Sequence, residues 1–407
     1  MKNSPETIQS NLKELELNAL LEVTEAINSN LPESSLYKIY HFTLLANLRV
    51  KKLALFVLGD EWECKVWFGV EEQLLNQIDV SAYKNITGSV NLYDGVASKL
   101  FEHVIAVHHK NRLLALVFAS EPEPISDGNK GKSSTTFLEA LTNILLVAIE
   151  NKKLARKQLE QEAFNKELEI AQQVQQFLIP KDLPKTERLT IDAVYMPHHN
   201  IGGDYYDYIP LSEERFMVCV ADVSGKGVPA ALMMSNFQAS LRTLVRQTDD
   251  LATIVQELNY HLYRSGNAEI FITFFVSVYD FSTRQMQYAN CGHNPQFLIA
   301  ASQRQSPIKL EKGTTVLGIF EPIPFLEIGT LDDLNEFCLF GYTDGLTEVF
   351  NEQNEEYGEM RLQSFIKENA CRSPFDFNQK LLEEVELFRK GRTYSDDLTM
   401  VAVTVKA

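Results

Sequence analysis

The sequence predicts an α+β protein. A small α+β domain and a helical linker precede a larger β-sandwich flanked by helices. Three observations support this prediction. The 407 residues are too many for one ordinary hydrophobic core. A stretch of strong helix formers without Gly or Pro, residues 150–176, divides the chain. Beyond it, short apolar runs follow one another and helical segments come in pairs, which favours sheets with helices packed outside over a doubly wound sheet.

The first 149 residues predict an N-terminal helix, 1–32, and a sensor-sized domain, 33–149. Apolar residues recur near period 3.6 from Leu12 to Ile27, and Pro32 follows the predicted end of that helix. The domain has a second helix, four strand-like runs and a closing helix. The predicted ranges are 34–48, 52–58, 62–68, 103–108, 113–118 and 135–149.

The closing helix is predicted to continue as a linker, 150–184. Pro180 and Pro184 end it. One stripe of its surface is apolar and consists of Phe164, Leu168, Ala171, Val174 and Leu178. A long helix of this kind is seldom stable alone and usually pairs with another copy, so we expect a homodimer through the linker. The alternative is a helix that packs on its own domain.

The C-terminal domain, 188–407, is strand-rich. Strands are predicted where apolar runs alternate with turn residues, and helices where apolar positions follow a helical period. The predicted strands are 191–195, 204–209, 216–222, 270–280, 285–290, 295–300, 336–342 and 400–405. The predicted helices are 229–247, 251–265, 359–368 and 374–389.

Composition excludes several classes of partner. Hydrophobic residues make up 45% of the chain and charged residues 23%, as in ordinary globular proteins. The net charge of −17 argues against nucleic acid or an anionic membrane as partner. The N-terminus is polar and the longest apolar runs are far shorter than the ~20 residues of a membrane span, so we expect a cytoplasmic protein. The five scattered cysteines are typical of reduced, buried thiols.

Four aspartate clusters are the most informative motifs, and each lies where a predicted strand meets a turn. Isolated carboxylates on tight turns favour hard divalent cations, which carry out phosphate chemistry. One such cluster is weak evidence, because Asp-Gly is a common turn dipeptide. Four in one domain make coincidence much harder to accept. The clusters are Gly202-Gly203-Asp204-Tyr205-Tyr206-Asp207, Asp222-Val223-Ser224-Gly225-Lys226-Gly227, Tyr342-Thr343-Asp344-Gly345 and Ser395-Asp396-Asp397-Leu398-Thr399.

Asp222 is the strongest single candidate. An apolar run delivers it to the end of a predicted buried strand, where a carboxylate is suited to bridging two metals. A glycine-rich turn follows, and Pro229 then opens a helix at a position that suits proline. The N-terminal end of that helix offers free N–H groups and a partial positive charge to an anion. Asp344 repeats the arrangement at the end of another strand.

Residues 188–407 resemble the PPM (PP2C-type) serine/threonine phosphatases, in the SpoIIE/RsbU-like branch. The resemblance rests on the order and spacing of the aspartate motifs, on Gly292-His293-Asn294-Pro295 and on the helix-to-proline segment 172–180. It implies a β-sandwich with two Mn²⁺ or Mg²⁺ ions that hydrolyses phosphoserine or phosphothreonine on a partner protein. In this branch the substrates are typically phosphorylated antagonists of anti-sigma factors.

The resemblance also implies roles for individual residues. Asp222 would bridge both metals, and the carbonyl of Val223 would add a ligand. Asp344 and Asp396 would hold one ion, and Asp204 would serve the other. These carboxylates act in catalysis through a metal-activated water that attacks phosphorus.

Other residues near the motifs have weaker assignments. Asp397 stands where the wider family often has Asn, which places it at the metal site in a supporting position. Lys226 is a candidate for phosphate binding. For His198 and His199 the sequence favours ordinary loop roles over protonation of the leaving group. For His293 it favours a role in shaping its turn.

Two alternatives to a phosphatase remain open. One is a non-catalytic pseudophosphatase that signals by rearrangement of the dimer. The other is a two-metal nucleotide cyclase, suggested by Gly202-Gly203-Asp204 but disfavoured because Tyr205-Tyr206 replaces the expected acidic-aromatic pair. Residues 33–149 resemble a GAF domain, in element order and in position upstream of a phosphatase, without a ligand motif.

Overall fold

The computed structural model describes residues 5–47, 50–110, 112–120, 132–198, 200–265, 270–300, 307–369 and 372–406. The chain divides into two compact units, Met1–Glu162 and Ala163–Ala407. The division falls inside one helix, α5 (Lys132–Gln176), so the finer boundaries of the sensor domain and the linker stay predictions. Among the described helices, none has the length and apolarity needed to cross a membrane.

The N-terminal unit is built on a five-stranded antiparallel sheet with strand order β2-β1-β5-β4-β3. One face of the sheet, with Leu53 and Leu55 of β1, packs in a core with the long helices. The alternate residues Ala54 and Phe56 enter a second core with the short helices. The strands are β1 (Leu53–Leu58), β2 (Trp62–Phe68), β3 (Gly88–Asn91), β4 (His103–His109) and β5 (Arg112–Ala119). The helices before α5 are α1 (Pro5–Asn28), α2 (Glu33–Asn47), α3 (Glu72–Leu75) and α4 (Gly95–Leu100), with a 3-10 turn at Val80–Tyr83.

The C-terminal unit has two sheets. The first has the order β13-β10-β9-β8-β7, with β14 paired to β10, and the second has the order β12-β11-β15-β16-β6. The main strands are β6 (Leu189–Met196), β7 (Tyr205–Pro210), β8 (Arg215–Val223), β9 (Ile272–Asp280), β10 (Gln285–Cys291), β11 (Gln296–Ala300), β15 (Glu336–Tyr342) and β16 (Leu398–Lys406). Three short strands are β12 (Ile308–Leu310), β13 (Gly313–Thr314) and β14 (Gly329–Leu331).

Helices cover the outer faces of both sheets. They are α6 (Val228–Leu244), α7 (Leu251–Ser265), α8 (Asp344–Thr347), α9 (Gly358–Asn369) and α10 (Pro374–Arg389). The alternation along β8 shows how the layers form. Val218 and Val220 enter the core between the two sheets, whereas Cys219 and Ala221 pack in the core with α6 and α7. A third core joins the second sheet to α9 and α10. The predicted α+β sandwich flanked by helices is confirmed.

Candidate active site

The register of two strand pairs brings the aspartate motifs to one end of the sandwich. In the first sheet Tyr205 pairs with Ala221, so Asp204 lies beside Asp222. In the second sheet Tyr342 pairs with Met400, which places the turn after β15 beside the turn before β16. Those two turns carry Asp344 and the Asp396–Asp397 pair. Segments almost two hundred residues apart therefore supply the same cluster.

Asp204 is the most deeply buried of these carboxyl groups, with 1% of its surface exposed. Its Oδ2 accepts hydrogen bonds from the hydroxyls of Thr343, at 2.7 Å, and Thr399, at 2.5 Å. Burial raises the pKa of Asp204 well above its usual range, and the neighbouring Asp222 raises it further. The two hydroxyl donors work in the opposite direction because they favour the ionised form.

Asp222 and Asp344 repel each other and the carboxylates beside them. Burial raises the pKa of Asp222 to about 8, with further contributions from Asp344, Asp396 and Asp397. Burial also raises the pKa of Asp344, and Asp396 adds to that effect. A bound cation would remove this unfavourable electrostatic energy.

Asp396 and Asp397 are adjacent in sequence but hold different partners. Oδ2 of Asp396 forms an ion pair with Nζ of Lys226 at 2.7 Å. The two oxygens of Asp397 accept backbone N–H bonds, Oδ1 from His198 and Oδ2 from Gly203, both at 2.7 Å. Asp397 therefore fastens the Gly-Gly-Asp turn in place, which agrees with a supporting position at the site.

Glycines let the backbone come close to these carboxylates. A Cβ at Gly203 would lie 2.9 Å from the carbonyl oxygen of Val223, and a Cβ at Gly345 would overlap the carbonyl oxygen of Asp397. At Gly202 a Cβ would overlap the carboxylate of Asp397 itself. These contacts explain why glycines flank the aspartates in the motifs.

The donor set fits hard divalent cations. Carboxylate and carbonyl oxygens are the ligands that Mg²⁺ and Mn²⁺ prefer, and Gly203 leaves room beside the Val223 carbonyl. In the part of the chain that the structure describes, no three His, Cys, Asp or Glu side chains already surround a metal position. Asp396 and Asp397 are instead held by Lys226 and by backbone N–H groups.

His293 connects the strand ends that carry Asp222 and Asp344. Its Nε2 lies 3.0 Å from the carbonyl oxygen of Tyr342, and its Nδ1 lies 2.7 Å from the hydroxyl of Thr273. A carbonyl can only accept, so Nε2 carries the proton and Nδ1 accepts from the hydroxyl. Burial lowers the pKa of His293 to about 4, which keeps the ring neutral. Thr273 pairs with Asp222 in the sheet, and Tyr342 precedes Asp344 by two residues.

Comparison with known proteins gives the same family as the motifs. Residues 212–406 match the family model "Stage II sporulation protein E (SpoIIE)". Over 306 residues the chain is 28% identical to phosphoserine phosphatase RsbU of Bacillus subtilis, covering 75% of this chain and 87% of that protein. It is 24% identical over 245 residues to phosphoserine phosphatase RsbP of the same organism, covering 59% of this chain and 58% of that protein.

Among solved structures, the SiaA-PP2C domain of Pseudomonas aeruginosa superimposes with a TM-score of 0.53 at 18% identity. The match covers 60% of this chain and 97% of that domain, and it shows a shared fold. Residues 212–406 carry a SpoIIE-type phosphatase domain with a PP2C fold. The enzyme class predicted from the motifs, a protein serine/threonine phosphatase, is confirmed, and the cyclase alternative loses its basis. The likeness of residues 33–149 to a GAF domain stays a resemblance.

Within this SpoIIE-family domain, Asp207 does not join the cluster, although it belongs to the same motif as Asp204. Residues three apart on a strand point to opposite faces, so Asp207 lies on the α6 side of β7. There its carboxylate accepts from the guanidinium of Arg242 at 2.7 and 2.9 Å and from the hydroxyl of Tyr205. Asp207 anchors α6 to β7.

Gln175, which was not predicted as a site residue, contacts the site from the end of α5. Its side chain is 5% exposed. Its Nε2 donates to the carbonyl of Gly202 at 2.7 Å, and its Oε1 accepts from the Gly202 N–H at 3.2 Å. Nothing in the sequence singles out Gln175 among the four glutamines of Gln172-Gln173-Val174-Gln175-Gln176. Of the histidines considered, His199 lies outside the described residues.

Proposed function

We propose that this phosphatase domain uses two Mg²⁺ or Mn²⁺ ions held by the aspartate cluster. Asp222 would bridge the ions, Asp344 and Asp396 would hold one of them, and Asp204 would serve the other with the Val223 carbonyl nearby. The observation that supports this most strongly is the register of β7 with β8 and of β15 with β16, because it gathers these carboxylates at one end of the sandwich.

The chemistry divides between the cations and the protein. When bound, the cations would lower the pKa of water and neutralise charge that develops on the phosphate. The protein holds its carboxylates in place through Asp397 and His293 and excludes water from Asp204, which is fully buried. Lys226 lies at the edge of the cluster, with its ammonium beside Asp396, where it would contact an oxygen of the substrate phosphate. The helix α6 begins two residues after Lys226, at Val228, so the positive N-terminal end of this helix would favour the same anion.

The proposed substrate is phosphoserine or phosphothreonine on a partner protein. Two relatives are named phosphoserine phosphatases, and one of them aligns over most of its length. We further propose that the partner is a phosphorylated antagonist of an anti-sigma factor. The cluster is open enough for a phosphorylated side chain, since Asp396 and Lys226 keep 30% and 48% of their side-chain surfaces exposed.

The helix α5 is proposed to regulate the site and to form a homodimer. Phe164 and Val174 of its apolar stripe are 54% and 58% exposed, which favours pairing with a second copy. Gln175 on the same helix forms two hydrogen bonds with the backbone of Gly202, two residues before Asp204. The register or rigidity of the helix would therefore set the position of that turn. If Leu168→Pro left activity and its regulation unchanged, this part of the proposal would be wrong.

Hydrolysis by the full-length protein tests the proposed function. The wild type should hydrolyse p-nitrophenyl phosphate and a phosphoserine peptide when Mn²⁺ is added, and Asp222→Asn and Asp344→Asn should abolish turnover. The matched control is Asp333→Asn, because Asp333 is exposed in a loop with φ of 56°, a conformation that Asn tolerates. A wild type that binds Mn²⁺ but shows no turnover, together with Asp222→Asn and Asp344→Asn variants that no longer bind it, would favour the pseudophosphatase instead.

A further inference from the structure

Two threonine hydroxyls converge on one oxygen of Asp204. The Oγ1 atoms of Thr399 and Thr343 lie 2.5 and 2.7 Å from Oδ2. Both threonines have 0% of their surface exposed. Thr343 comes one residue before Asp344, and Thr399 comes two residues after Asp397. Both therefore lie inside the aspartate motifs without being acidic themselves.

The backbone fixes the direction of at least one of these hydrogen bonds. The Thr399 N–H donates to Oγ1 of Thr343 at 3.0 Å. A backbone N–H can only donate, so the Thr343 hydroxyl accepts there and turns its own hydrogen toward Asp204. The Thr343 N–H in turn donates to the Thr399 carbonyl at 3.1 Å, which extends the β15–β16 ladder by one more pair. The hydroxyls are therefore carried on a rigid element.

We propose that Thr343 and Thr399 are positioning residues that occupy Oδ2 of Asp204 and thereby present Oδ1 to a divalent cation. This inference rests on the proposed metal-dependent function. A carboxylate oxygen that already accepts two hydroxyls has little capacity left for a metal, so Asp204 would bind through its other oxygen. Hydrogen bonds that orient a metal ligand in this way typically change metal affinity by about 10–100-fold.

Paired substitutions separate the hydroxyl from the methyl group at each position. Thr343→Val and Thr399→Val keep the shape and remove the hydroxyl, whereas Thr343→Ser and Thr399→Ser keep the hydroxyl and remove a buried methyl. Mn²⁺ affinity of the full-length protein is measured from the electron paramagnetic resonance signal of free Mn²⁺, and stability from urea unfolding. We expect the valine variants to bind Mn²⁺ at least about 10-fold more weakly. The serine variants should lose stability but keep affinity within about 3-fold.

A control on the same strand is Thr404→Val, since the Thr404 hydroxyl faces Sγ of Cys338 at 3.5 Å and not the cluster. It should bind Mn²⁺ like the wild type. Wild-type affinity in both valine variants would overturn the inference alone. Equal losses in the serine and valine variants would also overturn it, because packing would then be the cause. A wild type that binds no Mn²⁺ would overturn both the inference and the proposed function. If one valine variant does not fold, the pair at the other threonine decides.

Discussion

Replacing Asp222 by asparagine should stabilise the metal-free C-terminal unit at alkaline pH, although the same change removes the central proposed metal ligand. The reason is electrostatic. Asp222 is surrounded by Asp344, Asp396 and Asp397, and its burial penalises the charged form. Asparagine has nearly the same shape and no charge, so the folded unit no longer holds a repelled carboxylate.

The magnitude follows from the pKa. The folded-state pKa of Asp222 is raised to about 8, whereas an unfolded aspartate titrates near 3.9. Because the folded state keeps its proton to higher pH, the free energy of unfolding falls as the pH rises from about 4 to about 8. One unit of pKa corresponds to about 1.4 kcal/mol. From pH 6 to pH 8 the wild type should therefore lose about 2–3 kcal/mol that the variant retains.

The assay must report on the C-terminal unit. Both tryptophans of the chain, Trp62 and Trp67, lie in the N-terminal unit. Tryptophan fluorescence would therefore report the unfolding of the N-terminal unit instead. Hydrogen exchange of peptides from β8 and β9, measured by mass spectrometry against urea concentration in EDTA, follows the strands beside the site. Asp333→Asn removes one surface carboxylate and serves as the control.

The stability of the variant relative to the wild type, measured at pH 6 and at pH 8, tests this electrostatic reasoning. The stability difference between Asp222→Asn and the wild type should grow over this interval, and the Asp333→Asn control should show no such trend. A difference that stays constant with pH, or a variant less stable than the wild type at pH 8, would refute the electrostatic reasoning. Added Mn²⁺ should then reverse the order, because it stabilises only the protein that binds it.

Three further predictions concern the supporting residues. Burial lowers the pKa of His293 to about 4, so the unfolded chain binds the proton first, and this residue alone should lower the free energy of unfolding by up to about 3 kcal/mol as the pH drops from about 6.5 to 4, opposing the contribution of Asp222. His293→Gln should lack that loss in the same exchange assay, and an unchanged slope would contradict this. Gly345→Ala should lower the melting temperature and abolish Mn²⁺ binding, because its Cβ would overlap the Asp397 carbonyl oxygen; a calorimetric scan identical to that of the wild type would rule out this steric argument. Asp207→Asn should lower the free energy of unfolding by about 1.5–3 kcal/mol, because the hydrogen bonds from Arg242 lose their charged acceptor while Arg242 itself is half exposed. Mn²⁺ affinity should stay within about 2-fold of the wild type, and a larger loss of affinity would place Asp207 at the site after all.

Much of the sandwich could be predicted because its strands are apolar runs that end in turn residues. The helix predicted over 374–389 matches α10 to the residue, since Ser373 caps it, Pro374 opens it and an apolar stripe runs along it. The short strands β12, β13 and β14 were not predicted. They have two or three residues each, and so short a segment has no periodicity to read.

The strand-end positions of the aspartates could be read from the sequence, but their hydrogen bonds could not, and their roles as metal ligands stay predictions. Strand-end position and flanking glycines single out Asp222 and Asp344 without a structure. The convergence of Thr343 and Thr399 on Asp204 depends on the pairing of β15 with β16 and on the packing of two sheets, and a threonine next to an aspartate carries no sign of it. Gln175 is a similar case, because its contact with Gly202 spans 27 residues.

Crystals of the full-length protein soaked in Mn²⁺, with anomalous diffraction data collected at the manganese absorption edge, would show directly whether the aspartate cluster binds two ions. We expect two anomalous peaks in the cluster, with Asp222 contacting both ions. Asp344 and Asp396 should lie at one ion, and a single oxygen of Asp204 should be directed toward the other. Peaks at other residues, or binding at the cluster without Asp222 as a ligand, would contradict the proposal that these four separated motifs form one two-metal phosphatase centre.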